Sequence, residues 1–232
     1  MAEVVRVSVG RVVLAAVVRG VGLPGAPAVV FLPGAGATAA TWDAVACGLV
    51  PRRTVAVDLR GHGASDRPGR YSVADMAADV AALIPRVAPG AVDLVGHSLG
   101  GLVALRVAAA APELVRRLVL EDVGMPHPRT PHPPPRPSGD LAFDWRVVEQ
   151  VRPEVDSPAA DWGEVVATVT APTLVVAGGP ASFVSLAHVD ELVAALPDGR
   201  SVVLGTGHDV HAERPAEFTS ALASFLDAPA TG

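Results

Sequence analysis

The sequence predicts an α/β fold with a mostly parallel sheet of about eight strands, helices on both faces and a small lid insertion. Short apolar runs alternate with stretches of helical spacing along most of the 232 residues. Such alternation is typical of a parallel sheet whose crossover helices cover both faces. The length, with 50% hydrophobic residues, is enough for one compact α/β domain. One irregular, proline-rich stretch interrupts the alternation and predicts the insertion.

The first half of the chain supplies a hairpin and then the repeated strand–helix units. Two β-branched runs, 4–9 and 12–18, are separated by Gly10-Arg11 and predict an antiparallel hairpin. Thr41 is expected to cap a short helix that begins near Trp42. The other predicted elements are strand 28–32, strand 54–57, helix 72–87, strand 92–95, helix 99–110 and strand 118–120.

The second half begins with the interruption. Seven prolines between Met125 and Pro137 exclude a regular helix or a central strand there. The predicted elements that follow are a short helix at 144–151, strand 173–176, helix 186–196, strand 201–204 and helix 216–226. We therefore expect a core formed by 1–123 and 171–232, with 124–170 as a lid or cap insertion.

The insertion starts at the end of a predicted parallel strand. Loops at the carboxyl ends of parallel strands share one edge of the sheet, where the functional site is expected. The insertion is therefore placed to cover that site. Phe143, Trp145 and Trp162 are expected either to line an apolar entrance or to pack the lid onto the body.

Composition excludes several classes of protein. The net charge of -6 argues against nucleic-acid binding, which needs clustered basic residues. The single cysteine, Cys47, excludes an intramolecular disulfide. No signal-peptide pattern and no long apolar run is evident, so we expect a cytoplasmic protein without a membrane partner.

Ser98 is the candidate nucleophile. It lies in Gly96-His97-Ser98-Leu99-Gly100, between a predicted buried strand and a predicted helix. A serine in this context occupies a sharp turn that exposes its hydroxyl at a helix N-terminus, where developing negative charge is favoured. Glycines two residues away on either side remove the side chains that would collide in so tight a turn.

Three motifs in order carry a resemblance to a known family. They are Gly-His-Ser-Leu-Gly-Gly at 96–101, Asp-Leu-Arg-Gly-His-Gly-Ala-Ser at 58–65, and Gly-Thr-Gly-His at 205–208 followed by Arg-Pro-Ala-Glu-Phe at 214–218. On these residues the chain resembles the α/β-hydrolase fold superfamily over nearly its whole length. The resemblance implies a serine nucleophile, an acid and a histidine in that chain order.

His208 is the candidate base. A serine hydroxyl needs an adjacent base at neutral pH, and His208 follows the strand at 201–204 by a short glycine-containing loop. The resemblance selects the same residue. His211 is the alternative base, and otherwise is expected to be a surface histidine near a helix start.

The remaining histidines are expected to have local roles. His62 and His97 are expected to hold their own loops by hydrogen bonds. His127 and His132 lie in the proline-rich stretch without metal-ligand spacing, and we interpret them as lid residues. No metal is predicted.

The acid departs from the common family pattern. The resemblance leads one to expect an aspartate soon after the strand at 173–176, yet the first carboxylate there is Asp190, inside a predicted helix. Some relatives carry the acid at the end of the preceding strand, which here ends in Glu121-Asp122. We predict Asp122, with Glu121 as second choice. In a third arrangement Ser182 and a water orient the histidine without an acid.

The oxyanion hole needs two backbone amides directed at one point. One is expected from Leu99, the residue after the nucleophile. The other is expected from Ala35, in the loop after the strand at 28–32. The family normally has His-Gly in that loop, whereas this chain has Pro33-Gly34.

Together these residues predict a serine hydrolase without metal or organic cofactor. It would cleave an ester, thioester, lactone or similarly activated carbonyl of a small to medium substrate, through an acyl-enzyme on Ser98. The alternatives are a C–C bond hydrolase, an acyltransferase or a cofactor-free haloperoxidase-like enzyme on the same triad. A non-catalytic ligand-binding protein of this fold is a further alternative. The sequence leaves the oligomeric state open.

Overall fold

Eight strands form one sheet within residues 2–229, the part of the chain that the computed structural model describes. The sheet order is β1-β2-β4-β3-β5-β6-β7-β8. Pairs β1–β2 and β2–β4 are antiparallel and all other pairs are parallel. The strands are β1 Glu3–Val9, β2 Val12–Arg19, β3 Val29–Leu32, β4 Thr54–Val57, β5 Val92–His97, β6 Val115–Glu121, β7 Thr173–Ala177 and β8 Gly199–Val203. The predicted mostly parallel, eight-stranded sheet is confirmed.

Helices cover both faces of this sheet. They are α1 Asp43–Gly48, α2 Val73–Val87, α3 Leu99–Ala110, α4 Arg146–Asp156, α5 Trp162–Ala167, α6 Leu186–Ala195, α7 Val210–Glu213 and α8 Pro215–Asp227. Alternate residues of each strand point to opposite faces. On β3, Val30 and Leu32 pack in the cluster that contains α2 and α3. Their neighbours Val29 and Phe31 pack with α1 and α8.

The order of the central strands fixes where the site lies. Strands β3 and β5 are hydrogen-bonded neighbours, although β4 lies between them in sequence. From β3 the chain continues to the neighbouring strand β4, toward one edge of the sheet. From β5 it continues to the neighbouring strand β6, toward the other edge. Ligands of open α/β sheets bind at such a switch point, beyond the carboxyl ends of the strands. The loop at Pro33–Ala35 and the turn at Ser98 therefore meet there.

Several helix predictions need correction. Thr41 does not cap a helix. It lies inside a 3-10 turn at Ala39–Trp42, and α1 begins only at Asp43. The short helices α5 and α7 were not predicted, since neither is long enough for a recognisable apolar period.

The predicted helix 144–151 is α4, which starts later and ends later. Its predicted first residue, Asp144, is instead bound to the body. The Asp144 amide donates to the Gly61 carbonyl at 2.7 Å, and its carboxylate accepts the Tyr71 hydroxyl at 2.7 Å. At the other end α4 continues to Asp156, past Pro153.

The proline-rich stretch has no helix or strand, as predicted. Two backbone hydrogen bonds attach this part of the chain to helices α6 and α4. Met125 N donates to His188 O at 2.8 Å, and Arg129 N donates to Asp156 O at 2.9 Å. The stretch therefore runs from the end of β6 across α6 to the end of α4.

Candidate active site

Ser98 has the backbone conformation of a strained elbow. Its φ of 50° and ψ of -115° lie outside the regions that side-chain-bearing residues ordinarily occupy. Such a conformation costs roughly 1–3 kcal/mol and persists only where its surroundings enforce it. A Cβ on Gly96 would collide with the Gly100 carbonyl, and one on Gly100 with the Leu32 carbonyl. The two glycines therefore allow α3 to start directly against β3 and β5.

Asp122 and His208 are in direct contact. His208 Nδ1 donates to Asp122 Oδ2 at 2.7 Å. Asp122 follows β6 immediately, with a φ of 49°, and is 2% exposed. Its Oδ1 accepts the Gly178 amide at 2.9 Å, and its Oδ2 also accepts the Ser182 hydroxyl. The structure thus brings together the predicted acid and the predicted base.

Ser182 occupies the loop after β7, where the family resemblance leads one to expect the acid. Its hydroxyl donates to Asp122 Oδ2, the same oxygen that His208 Nδ1 contacts. Asp190 is exposed on α6. The loop after β7 therefore supports a carboxylate that the neighbouring strand supplies.

The predicted oxyanion donors face the same cavity as Ser98 and His208. Ala35 and Leu99 both line it. Within residues 2–229 no protein acceptor takes the amide hydrogen of either residue. The next amide in the loop, Gly36 N, is used in a hydrogen bond to His62 Nε2 at 3.1 Å. The loop is thus fixed just beyond the residue whose amide stays unoccupied.

His62 supports the oxyanion loop, residues 33–38, as well as the loop that contains His62 itself. Its Nδ1–H donates to the Arg60 carbonyl at 3.1 Å, which leaves Nε2 to accept from Gly36. Burial lowers the pKa of His62, which keeps the ring in the uncharged form that this bonding needs. Asp58, from the same motif, accepts the Ala39 amide at 2.7 Å. The motif at 58–65 therefore anchors the oxyanion loop at two points.

His97 lies between the nucleophile elbow and the base. Its Nε2–H donates to the backbone carbonyl of His208 at 3.0 Å. Its Nδ1 is buried without a hydrogen-bond partner and faces Gly34, where an added Cβ would lie 2.7 Å from Nδ1. Burial lowers the pKa of His97 to about 4, so the ring is uncharged at neutral pH. Gly34 is therefore required by the close approach of this ring.

We expect His97 to make the protein acid-sensitive. Its pKa is about 4 when folded and about 6.5 when unfolded. Between these two values the unfolded chain binds more protons than the folded chain. The free energy of unfolding therefore decreases as the pH is lowered, by up to roughly 3 kcal/mol. His97→Gln keeps a donor for the His208 carbonyl but does not titrate. Urea unfolding at pH 7 and pH 4.5 should show a smaller loss for the variant, and equal losses would contradict the assignment.

His211 and Glu121 form a second acid–histidine pair beside the first. His211 is 1% exposed, so the expectation of a surface histidine is wrong. Its Nδ1 contacts both Glu121 carboxylate oxygens at 2.8 Å. Glu121 thus binds His211, whereas the next residue, Asp122, binds His208. Glu121, the alternative acid, makes no hydrogen bond with His208, and His211, the alternative base, makes none with Asp122 or Ser98.

A cavity of about 960 Å³ opens beside Ser98. Its walls are mainly apolar and include the three aromatic residues of the insertion. The apolar lining residues include Leu102, Val123, Met125, Phe143, Trp145, Val148, Val151, Trp162 and Phe183. Phe143 also stacks on His62 at 5.6 Å between ring centroids, so it both lines the cavity and packs against the body.

The other predicted lid histidines differ in position. His127 lines the cavity and contacts Glu191 of α6 at 2.6 Å, whereas His132 is exposed. Within residues 2–229 no group of three or more His, Cys, Asp or Glu side chains is placed to hold a metal ion. None of the helices in that range is long and apolar enough to span a bilayer.

A family model of the alpha/beta hydrolase fold matches residues 27–162. The chain therefore belongs to the α/β-hydrolase fold family. The crystal structure of E-2-(acetamidomethylene)succinate hydrolase superimposes with a TM-score of 0.84 at 26% identity, covering 98% of this chain and 100% of that one. The predicted family and fold are confirmed.

Two curated relatives are similar in sequence. A mouse sn-1-specific diacylglycerol lipase is 26% identical over 249 residues, covering 86% of this chain and 81% of the lipase. An esterase of Mycobacterium tuberculosis is 50% identical over 100 residues, 42% of this chain. That match spans only 33% of the esterase's length. The predicted assignment to the hydrolases is confirmed.

Proposed function

We propose that this hydrolase cleaves carboxylic esters, or similarly activated thioesters and lactones, through an acyl-enzyme on Ser98. One observation carries the proposal: a strained, cavity-facing serine shares its cavity with a hydrogen-bonded Asp122–His208 pair. The relatives named as an esterase and a lipase support the choice of an ester.

The geometry supports a two-step acyl transfer to water. Because His208 Nδ1–H is held by Asp122, the Nε2 lone pair is left to take the Ser98 proton as Oγ attacks the carbonyl. The amides of Ala35 and Leu99 then stabilise the oxyanion. His208 returns the proton to the leaving alkoxide, and the acyl group stays on Ser98. Water, deprotonated by the same ring, attacks the acyl carbon. The bond from that carbon to Ser98 Oγ breaks, His208 returns the proton to Oγ, and the acid is released.

The walls of the cavity favour an apolar substrate of small to medium size. The cavity volume of about 960 Å³ is at the upper end of the range for small-molecule sites. We propose that 124–170 acts as the lid, since α4, α5 and the proline-rich stretch supply much of the lining. We also propose a cytoplasmic location, which is supported by the exposed free thiol of Cys47.

A fluorophosphonate probe tests the proposed nucleophile. The parent protein should be labelled covalently, and Ser98→Ala should not be labelled. Ser220→Ala, a change at an exposed serine of α8, is the matched control and should label like the parent. A parent that stays unlabelled would instead favour the non-catalytic ligand-binding protein.

A substrate series then tests the chemical class. We expect kcat/KM for p-nitrophenyl esters to rise from acetate to butyrate or longer acyl chains, because each added methylene buries apolar surface worth about 0.8 kcal/mol. A preference for acetate over every longer chain would contradict the apolar acyl site.

A further inference from the structure

We propose that Thr41, His211 and Glu121 form a positioning chain that holds the oxyanion loop in register with the catalytic acid and base. The inference rests on the proposed function, since it assigns these residues to the support of Ala35, Asp122 and His208. None of the three would touch substrate. They would act through the elements to which they are attached.

The positioning chain is a continuous run of hydrogen bonds, buried between Glu121 and His211 and half-buried at Thr41. The Glu121 carboxylate accepts the His211 backbone amide at 2.8 Å and the His211 Nδ1 proton at 2.8 Å. With Nδ1 used as a donor, His211 Nε2 accepts the Thr41 hydroxyl proton, with 2.6 Å between Oγ1 and Nε2. Glu121 is 0% exposed and His211 is 1% exposed, so water does not compete for the two bonds between them.

Each member is joined to a different part of the proposed machinery. Glu121 is the last residue of β6 and directly precedes Asp122. His211 lies in α7, three residues after His208. Thr41 lies in the 3-10 turn that closes the oxyanion loop. One set of hydrogen bonds therefore connects the acid, the base and the loop that carries the Ala35 amide.

Packing fixes the orientation of His211, the middle residue of the positioning chain. The His211 ring stacks on Trp42, with 4.3 Å between ring centroids and 28° between planes. Trp42 in turn packs on Phe31 of β3 and on Phe218 of α8. Because the ring is held by Trp42 and by Glu121, its Nε2 marks a definite position for the Thr41 hydroxyl. The bond to Thr41, together with this stacking, joins the oxyanion loop to α7 and, through Glu121, to β6.

Reacting groups must be aligned closely, since a displacement of about 1 Å costs about 10² in rate. Loss of the Thr41 hydroxyl would leave the His211 Nε2 acceptor buried without a partner, with only the stacking of Trp42 on His211 between the turn and α7. The ground-state binding surface of the cavity would be unaffected, because Thr41 does not line it. The predicted signature is a loss in kcat rather than a rise in KM.

Thr41→Val, Thr41→Ser and Thr38→Val test the proposal. Valine keeps the shape of threonine and removes the hydroxyl, whereas serine keeps the hydroxyl. Thr38 precedes the same turn and makes no side-chain capping bond, so Thr38→Val is the matched control. For p-nitrophenyl butyrate we expect Thr41→Val to lower kcat about tenfold to hundredfold, with KM within about twofold. Its fluorophosphonate labelling rate should fall in parallel, while Thr41→Ser and Thr38→Val stay within about twofold of the parent.

Three outcomes would overturn the positioning role. One is a Thr41→Val variant whose kcat and labelling rate equal those of an active parent. The proposed function would then still stand. The second is an equal loss in Thr41→Val and Thr38→Val, which would mean a general effect on the loop. The third is a loss in Thr41→Val that Thr41→Ser does not restore. A parent that neither labels nor turns over overturns the proposed function and the inference together.

Discussion

Ser98→Ala is expected to lower kcat for p-nitrophenyl butyrate by about 10⁶, the scale of loss when a triad nucleophile is removed. The variant has no oxygen to form the acyl-enzyme, so only transition-state stabilisation by the Ala35 and Leu99 amides and by binding remains. Because Ser98 has a φ of 50°, alanine inherits the same backbone strain. We therefore expect the free energy of unfolding to change little.

Stopped-flow or steady-state hydrolysis, with urea unfolding beside it, checks this result. Ser220→Ala, which alters an exposed serine of α8, should retain the parent kcat. A Ser98→Ala variant that keeps more than about a tenth of parent activity would show that the reaction proceeds without this hydroxyl.

Asp122→Asn is expected to lower kcat by about 10⁴, as loss of the acid does in related triads. The carboxylate accepts hydrogen bonds from His208 Nδ1, Ser182 Oγ and Gly178 N, so it fixes the imidazole with its proton on Nδ1. An amide at this place can present an N–H to the ring and favour the wrong tautomer. It also removes the charge that stabilises the imidazolium formed during attack.

The matched control for this change is Asp190→Asn. Asp190 is the first carboxylate after β7 in sequence, yet it lies exposed on α6. Its kcat should stay within about twofold of the parent. If Asp190→Asn and Asp122→Asn were equally active, the assignment of the acid to the end of β6 would be wrong.

The contrast between Asp122 and Glu121 shows how far the sequence leads. Two adjacent carboxylates at the end of a buried strand, and the absence of one after β7, are visible in the sequence and are enough to predict an acid there. Which of the two meets His208 depends on the face to which each side chain points at the strand end. Asp122 has a φ of 49° and has left the strand conformation, a turn that no residue pattern reports.

His211 shows where sequence reasoning fails. A polar residue just before a C-terminal helix is ordinarily exposed, and α7 is only four residues long. Its burial results from contacts with Glu121 and Thr41, which lie 90 and 170 residues away in the chain. Partners so distant are set by the order of the strands. The one available signal was a second carboxylate beside a second histidine, at the ends of the same two segments.

Ser182 lies where a second acidic side chain could reach the proposed base. Its hydroxyl contacts the same Asp122 oxygen that receives the His208 proton. A longer acidic side chain grown from position 182 would therefore approach the same ring from the adjacent strand.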